Sequence, residues 1–343
     1  MNGSGAPHRV GVALGAVVAV GTLVAPLVLS RADLTIYVLL GTAAMVTVGV
    51  SLLMGYAGQV SLGQGAFYAV GAYTAALMSV HDLPPLIGLL CAPVAAAVVA
   101  ALVGIPIMRL RGHYLAFATL AIQLILLSVV GQLDVLGGDI GLQGIPRLGI
   151  GSVQLSQPRS YAWLTWAAVV LVLVVARNVI TSRAGRGLRA LASSEVAAES
   201  CGVPVARYKL AVFALAAAFG GLAGGIYAFF LGYVAPSSFP VLLSVEFVVM
   251  AVIGGLGTIW GPVVGATAIT VLVQALNAFG TRPGMPPYAS TTFSYAVYAV
   301  LLVVVLLFLP RGLLPTGADW VRRALARSAP RTPGKDPETS RSG

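Results

Sequence analysis

The sequence predicts an all-α polytopic membrane protein of about ten transmembrane or re-entrant helices, with both termini cytoplasmic. Three observations predict it. Only 9% of the 343 residues are Asp, Glu, Lys or Arg and 58% are apolar, against about 25% charged in an ordinary soluble domain. Mean hydropathy is +0.95. Apolar runs near the roughly 20 residues that cross a bilayer recur along the whole chain.

Residues 1–9 and the apolar stretch 10–30 carry the charge of a signal peptide. The apolar part exceeds an h-region of about 7–15 residues and no small-residue cleavage site closes it, so it reads as a retained first span. Further spans are expected at 34–54, 60–80, 84–108, 113–131, 161–180, 208–232, 240–256, 258–279 and 290–309. Residues 60–80 are Gly-rich and polar at their start, and 240–256 is short. Either suits a re-entrant or broken helix, which membranes tolerate only where protein or water surrounds the backbone. Residues 1–310 thus form a transmembrane domain. Residues 311–343 form a basic cytoplasmic tail, with a possible surface helix at 320–327 and a Pro-, Ser- and charge-rich end expected to be disordered. Two connectors are too long to be simple turns. One is 132–160, expected outside; the other is 181–207, expected inside.

Charge sets that orientation. The net charge is +10, and basic residues concentrate in cytoplasmic loops of membrane proteins. With the N-terminus inside, sixteen of the twenty Lys and Arg fall in or beside inner segments. Four, Arg31, Arg147, Arg159 and Arg282, fall outside. The excess therefore marks topology and gives no case for nucleic acid.

Enzymatic chemistry is thin. His8, His81 and His113 form no H-E-x-x-H pair, and Ser61 in QVSLG lacks the first glycine of a G-x-S-x-G elbow. Neither lysine, Lys209 or Lys335, sits in a G-x-x-x-x-G-K-[ST] phosphate loop. Cys91 and Cys201 give no disulfide framework. Energy for any transport must come from a gradient or another chain. A gradient-driven carrier needs ionisable groups at depth. Glu246 is the acid well inside an apolar stretch, and it reads either as a proton site or as a structural group.

Residues 55–65, GYAGQVSLGQG, combine Gly55, Gly58, Gly63 and Gly65 with Tyr56, Gln59, Ser61 and Gln64. The glycines lower helix propensity and allow close backbone approach. The segment reads either as a broken helix lining a solute path or as tight packing with polar glue. A related phrase, IGGLGTIWG, places Gly254, Gly255 and Gly257 at 253–261, and Gly254-x-x-Gly257 repeats Gly55-x-x-Gly58.

The inner segment contains SRAGRGLRALASSEVAAESCGVPVARYK. Arg183, Arg186 and Arg189 recur every third residue, near one helical face. Ser194 is placed to cap a second short helix beginning at Glu195, and Gly202 with Pro204 supplies its stop. The segment reads as a positive-inside anchor or as a docking knob for a cytoplasmic partner.

These phrases, with RLRGHYLAFATLA at 109–121 and GLQGIP at 141–146, resemble the inner-membrane permeases of branched-chain amino acid ABC importers, LivM type. They appear in family order over residues 35–310. The resemblance implies an ATP-driven importer subunit in the bacterial cytoplasmic membrane, carrying branched-chain or other hydrophobic amino acids. A urea, short-chain amide or sugar permease on the same scaffold is the alternative, and a gradient-driven carrier using Glu246 is the rival from another class. The implied partners are a second related permease chain, two ATPase subunits holding ATP and Mg, and an extracytoplasmic solute-binding protein; this chain itself is expected to hold no cofactor, metal or catalytic residue. Glu195, Ala197, Ala198 and Gly202, with Arg186 and Arg189, resemble the coupling loop that docks into the ATPase. The 55–65 and 254–257 phrases would border the translocation path, and Gly137, Gly138, Asp139, Gly141 and Gly144 would belong to the outer loop. The sequence departs from the family at Gln64 and Gly65, where His and Ala are common. It departs also at Asp139 and Ile140, and at Ala192–Ser194, where charged residues often precede the Glu.

Overall fold

The computed structural model describes residues 25–280 apart from 109, 111, 151, 152 and 156, together with residues 300 and 313. The expected spans 10–30 (except its last residues) and 290–309, and the tail apart from residue 313, lie outside the described residues.

The other eight expected spans are helices: α1 Arg31–Tyr56, α2 Gln64–Val80, α3 Pro85–Ile107, α4 His113–Gln132, α5 Pro158–Thr181, α8 Val205–Leu231, α9 Val241–Gly254 and α10 Gly261–Gly280. Between α5 and α8 lie two short helices, α6 Arg183–Ser193 and α7 Glu195–Ser200. Among the described residues six segments are long and apolar enough to cross a membrane, counting Pro236–Gly254 with the short 3-10 turn before α9.

α1 is the centre of the bundle. Ser30 caps it by accepting from the Asp33 N–H at 3.3 Å, and Asp33 lies in its first turn, where a negative charge complements the helix dipole. Of its most apolar window 78% is buried, against 28% for α3 and for α4. α1 packs on α5, α8, α9 and α10. Beside α5, Gly41 lies against Thr165, and the Tyr37 and Trp166 rings stack at 4.9 Å.

Small residues set the remaining crossings, since association inside lipid relies on close packing. α3 buries Gly88, Ala92, Ala96, Ala100 and Gly104, one per turn, and exposes Leu90, Val94, Val98 and Leu102 on the other face. The buried stripe meets Gly221 and Gly225 of α8. α2 crosses α8 as closely: a methyl group on Gly224 would stand 2.0 Å from the Tyr68 carbonyl oxygen. α9 and α10 form a hairpin in which Gly254 abuts Gly261 and Gly265 abuts Met250.

Both segments singled out as irregular are short. α2 has 17 residues and α9 has 14, about 25 and 21 Å of helix against a hydrocarbon core of about 30 Å. α2 begins at Gln64, after a non-helical stretch at 57–63. That stretch runs past the end of α3 and along α4: Gln59 Nε2 contacts Met108 Sδ, just after α3, at 3.1 Å, and the Leu62 N–H donates to Thr119 Oγ1 on α4 at 2.9 Å.

The connector 132–160 adds the sheet among the described residues, a detail the all-α expectation omits. β1 (Leu142–Gln143) pairs antiparallel with β4 (Tyr233–Val234), and β2 (Gly149–Ile150) with β3 (Val153–Gln154). The first pairing ties this connector to the far end of α8.

Candidate functional site

The two Gly-rich phrases, some two hundred residues apart, meet. The Tyr56 hydroxyl donates to the Gly257 carbonyl at 2.6 Å. A methyl group on Gly55 would stand 2.4 Å from the Gly257 nitrogen, so backbone rests directly on backbone. Gly255 and Gly257 take positive φ of 110° and 76° as the chain turns from α9 toward α10. The repeat is therefore a physical contact as well as a sequence likeness.

The Arg-rich segment lies against this contact. Gly58, at φ +63°, turns the chain out of α1, and a methyl group there would be 3.7 Å from Ala192 Cα on α6. α6 is amphipathic, burying Leu188 and Leu191 and exposing Arg183, Arg186 and Arg189. Arg189 reaches back to the Ile180 carbonyl at 3.3 Å. The α5–α6 corner is tight: Ser182 accepts from the Gly185 N–H at 3.3 Å and Gly185 lies against the Ile180 carbonyl.

α7 starts and stops where the sequence places its ends. Ser194 Oγ accepts from the Ala197 N–H at 3.3 Å. Gly202 takes φ +78°, and its N–H and that of Val203 bond the Glu199 and Ala198 carbonyls, closing the helix in the left-handed turn that glycine favours. Ala198 is buried with Leu191 and Val205, while Val196, Ala197 and Gly202 face outward. Among the described residues no atom lies within 4 Å of a methyl group placed on Gly202. Glu195 is less free than the coupling-loop resemblance implies: it pairs with Lys209 at the start of α8, which is only 6% exposed.

Above the Tyr56–Gly257 contact the start of α2 is held by polar groups from two other helices. Ser244 accepts from the Gly65 N–H at 2.7 Å and donates to Gln123 Oε1 at 2.5 Å, while Gln123 Nε2 reaches the Pro240 carbonyl at 3.4 Å. A methyl group on Gly65 would stand 2.7 Å from the Gln123 amide and 2.8 Å from Ser244 Oγ, which accounts for glycine at this position. Ser61 and Gln64 are buried, and both amide atoms of Gln64 and Oε1 of Gln59 lack partners among the described residues. Buried polar atoms without partners are uncommon in packed interiors and mark places with a task beyond packing. Ser244 and Gln123 were not apparent from sequence, because each is an isolated polar residue in an apolar run.

A cavity of about 260 Å³ lies between α1, α2, α8, α9 and α10, lined among others by Thr42, Tyr68, Tyr227, Phe247 and Gln274, with Glu246 on its wall. In the connector 132–160, Gly137, Gly138, Gly141 and Gly144 all have positive φ, and the Asp139 carboxylate lies over Gly131 at the end of α4. The expected groups thus form three separate places: the Gly contact with α6 and α7, the cavity with Glu246, and the connector at the opposite end.

A family model described as "Branched-chain amino acid transport system / permease component" matches residues 32–306. The chain belongs to this family. It is a permease subunit of an ABC importer and a multi-pass inner-membrane protein. The high-affinity branched-chain amino acid transport permease LivM of Escherichia coli K12 is 29% identical, over 84% of this chain and 72% of its own length. The probable LivM of Methanocaldococcus jannaschii is 25% identical over 67% and 68%. The E. coli LivH permease is 25% identical over 80% and 91%. No solved structure matches the chain. In this family member the matched span contains all three places described above.

Proposed function

We propose that this permease moves branched-chain amino acids inward across the cytoplasmic membrane, with both termini and the segment 181–207 on the cytoplasmic side. It does so beside a second, related permease chain, above two ATPase subunits that bind ATP and Mg, and below an extracytoplasmic binding protein docking at 132–160. The names of its LivM and LivH relatives support the solute and the paired permease. The observation that carries the reading is the approach of α6 to the end of α1, where a methyl group on Gly58 would reach Ala192 Cα, beside the bond from Tyr56 to Gly257. A displacement of α6 and α7 reaches this contact directly, without an intervening element. Arg186, Arg189, Ala197 and Gly202 face the ATPase, and the Glu195–Lys209 pair ties α7 to the root of α8. Solute then passes by way of the cavity whose wall carries Glu246 and on between the two permease chains beside 55–65 and 254–257.

Uptake in proteoliposomes tests this. The complete complex should import leucine, isoleucine or valine only with internal or external ATP on the ATPase face and with loaded binding protein. Uptake by this chain alone on an ion gradient would contradict the reading. ATP-driven uptake of urea, amides or sugars without amino acids would overturn the solute assignment alone.

A further inference from the structure

We propose that Glu246 receives the ammonium group of the transported amino acid within the α1–α2–α8–α9–α10 cavity, an inference that rests on the amino-acid reading above. Glu246 lies near the middle of the 19-residue apolar segment Pro236–Gly254. Among the described residues it is the acidic side chain at mid-depth in a spanning helix. Asp33 sits in a first turn, Asp82 lies in the turn between α2 and α3, Asp134 and Asp139 lie in the connector, and Glu195 and Glu199 lie on the short helix α7. Among the described residues that line the cavity beside Glu246 there is no Lys, Arg or His. An ionisable group at membrane depth is costly and is kept where it meets a partner or a passing solute. A carboxylate with no cation among the described residues that surround it is suited to a cationic group that arrives.

The rest of the wall fits the rest of such a solute. Leu39, Ile269 and Val273 offer aliphatic surface beside the carboxylate, and Thr270 and Gln274 offer donors for a solute carboxylate. Tyr68 is already committed to Thr42 Oγ1 at 3.4 Å. The volume, about 260 Å³, falls just below the roughly 300–1,000 Å³ of drug-sized ligand sites and suits a single small solute. A neutral amide or sugar would leave the Glu246 charge unmatched; an amino acid matches it.

Two sets of measurements test the assignment on the complete transporter. In proteoliposomes, Glu246→Gln should lower ATP-driven leucine uptake about tenfold or more, the size of one lost charge-assisted hydrogen bond, and Glu246→Asp should restore part of it. Size-exclusion chromatography checks that each variant assembles. In detergent without binding protein, tritiated leucine bound to the wild-type complex should be displaced by 3-methylbutylamine, which keeps the ammonium and branched chain. It should resist 4-methylpentanoate, which lacks the ammonium. Assembled Glu246→Gln complex with unchanged uptake, equal displacement by both analogues, or no leucine binding by the wild type would each overturn the proposal. Absence of ATP-driven amino-acid uptake by the wild type would instead overturn the functional reading on which it rests.

Discussion

The Tyr56 hydroxyl bonds the Gly257 carbonyl at 2.6 Å across 201 positions of sequence, joining the end of α1 to the turn after α9. On its other side, two residues on, Gly58 faces the Arg-rich segment, where an added methyl group would reach Ala192 Cα at 3.7 Å. If this contact closes the solute path, Tyr56→Phe removes one hydrogen bond and leaves the ring in place. The expected cost to stability is about 1 kcal/mol. The expected functional effect is a raised ATPase rate without binding protein, read by phosphate release from the complete complex. An unchanged basal rate would show that the bond does not hold the closed state.

The α2–α8 crossing depends on the absence of side chains. A methyl group on Gly224 would stand 2.0 Å from the Tyr68 carbonyl, whereas one on Gly187 would meet nothing closer than 3.6 Å. Gly224→Ala should therefore destabilise by about 1–3 kcal/mol through overpacking. Gly187→Ala, in a short surface helix, should be neutral or mildly stabilising. Thermal unfolding in detergent separates the two, and equal melting temperatures would contradict the crossing geometry.

Lys209 is 6% exposed and the Glu195 side chain 32%, so removing the two partners is not symmetrical. Glu195→Ala removes the partner of a buried ammonium, while Lys209→Met leaves a carboxylate that water reaches. The first should cost more, about 1–3 kcal/mol after allowance for solvent screening at Glu195. A double-mutant cycle read by thermal unfolding checks this. A larger loss for Lys209→Met would contradict it.

At the opposite end, Gly141 has φ +81° and a methyl group there would stand 2.1 Å from the Val234 carbonyl. Gly141→Ala should break the β1–β4 pairing and free the connector. The predicted readout is weaker stimulation of the ATPase by binding protein, with melting temperature little changed because the strands are two residues long. Undiminished stimulation would mean that the connector does not form the docking surface.

Much of this was legible in the sequence because it is local. Ser194, Glu195, Gly202 and Pro204 define a short helix by capping chemistry alone, and α7 obeys them. Hydropathy located the eight spans that fall within the described residues. It did not show that α1 is central and α4 peripheral, because the two are similarly apolar and burial depends on which neighbours surround each helix. The likeness of Gly55-x-x-Gly58 to Gly254-x-x-Gly257 was visible, but their contact was not, since nothing in either phrase names its partner. The cavity was hidden for the same reason. Thr42, Tyr68, Tyr227 and Gln274 come from four helices, and each alone looks like an ordinary polar residue in an apolar run. Glu246 stood out, yet its lack of a described cation is a property of the packed bundle.

The central claim is that the ATPase drives this permease through α6 and α7, and Gly202 tests it most directly. Its left-handed turn faces outward with no described atom within 4 Å of an added methyl group, so Gly202→Trp adds bulk toward a partner and only backbone strain, of about 1–3 kcal/mol, within the chain itself. Leucine uptake and ATP hydrolysis measured in the same proteoliposomes should show uptake falling about tenfold or more, with the variant still inserted and assembled. Uptake equal to the wild type would contradict the account.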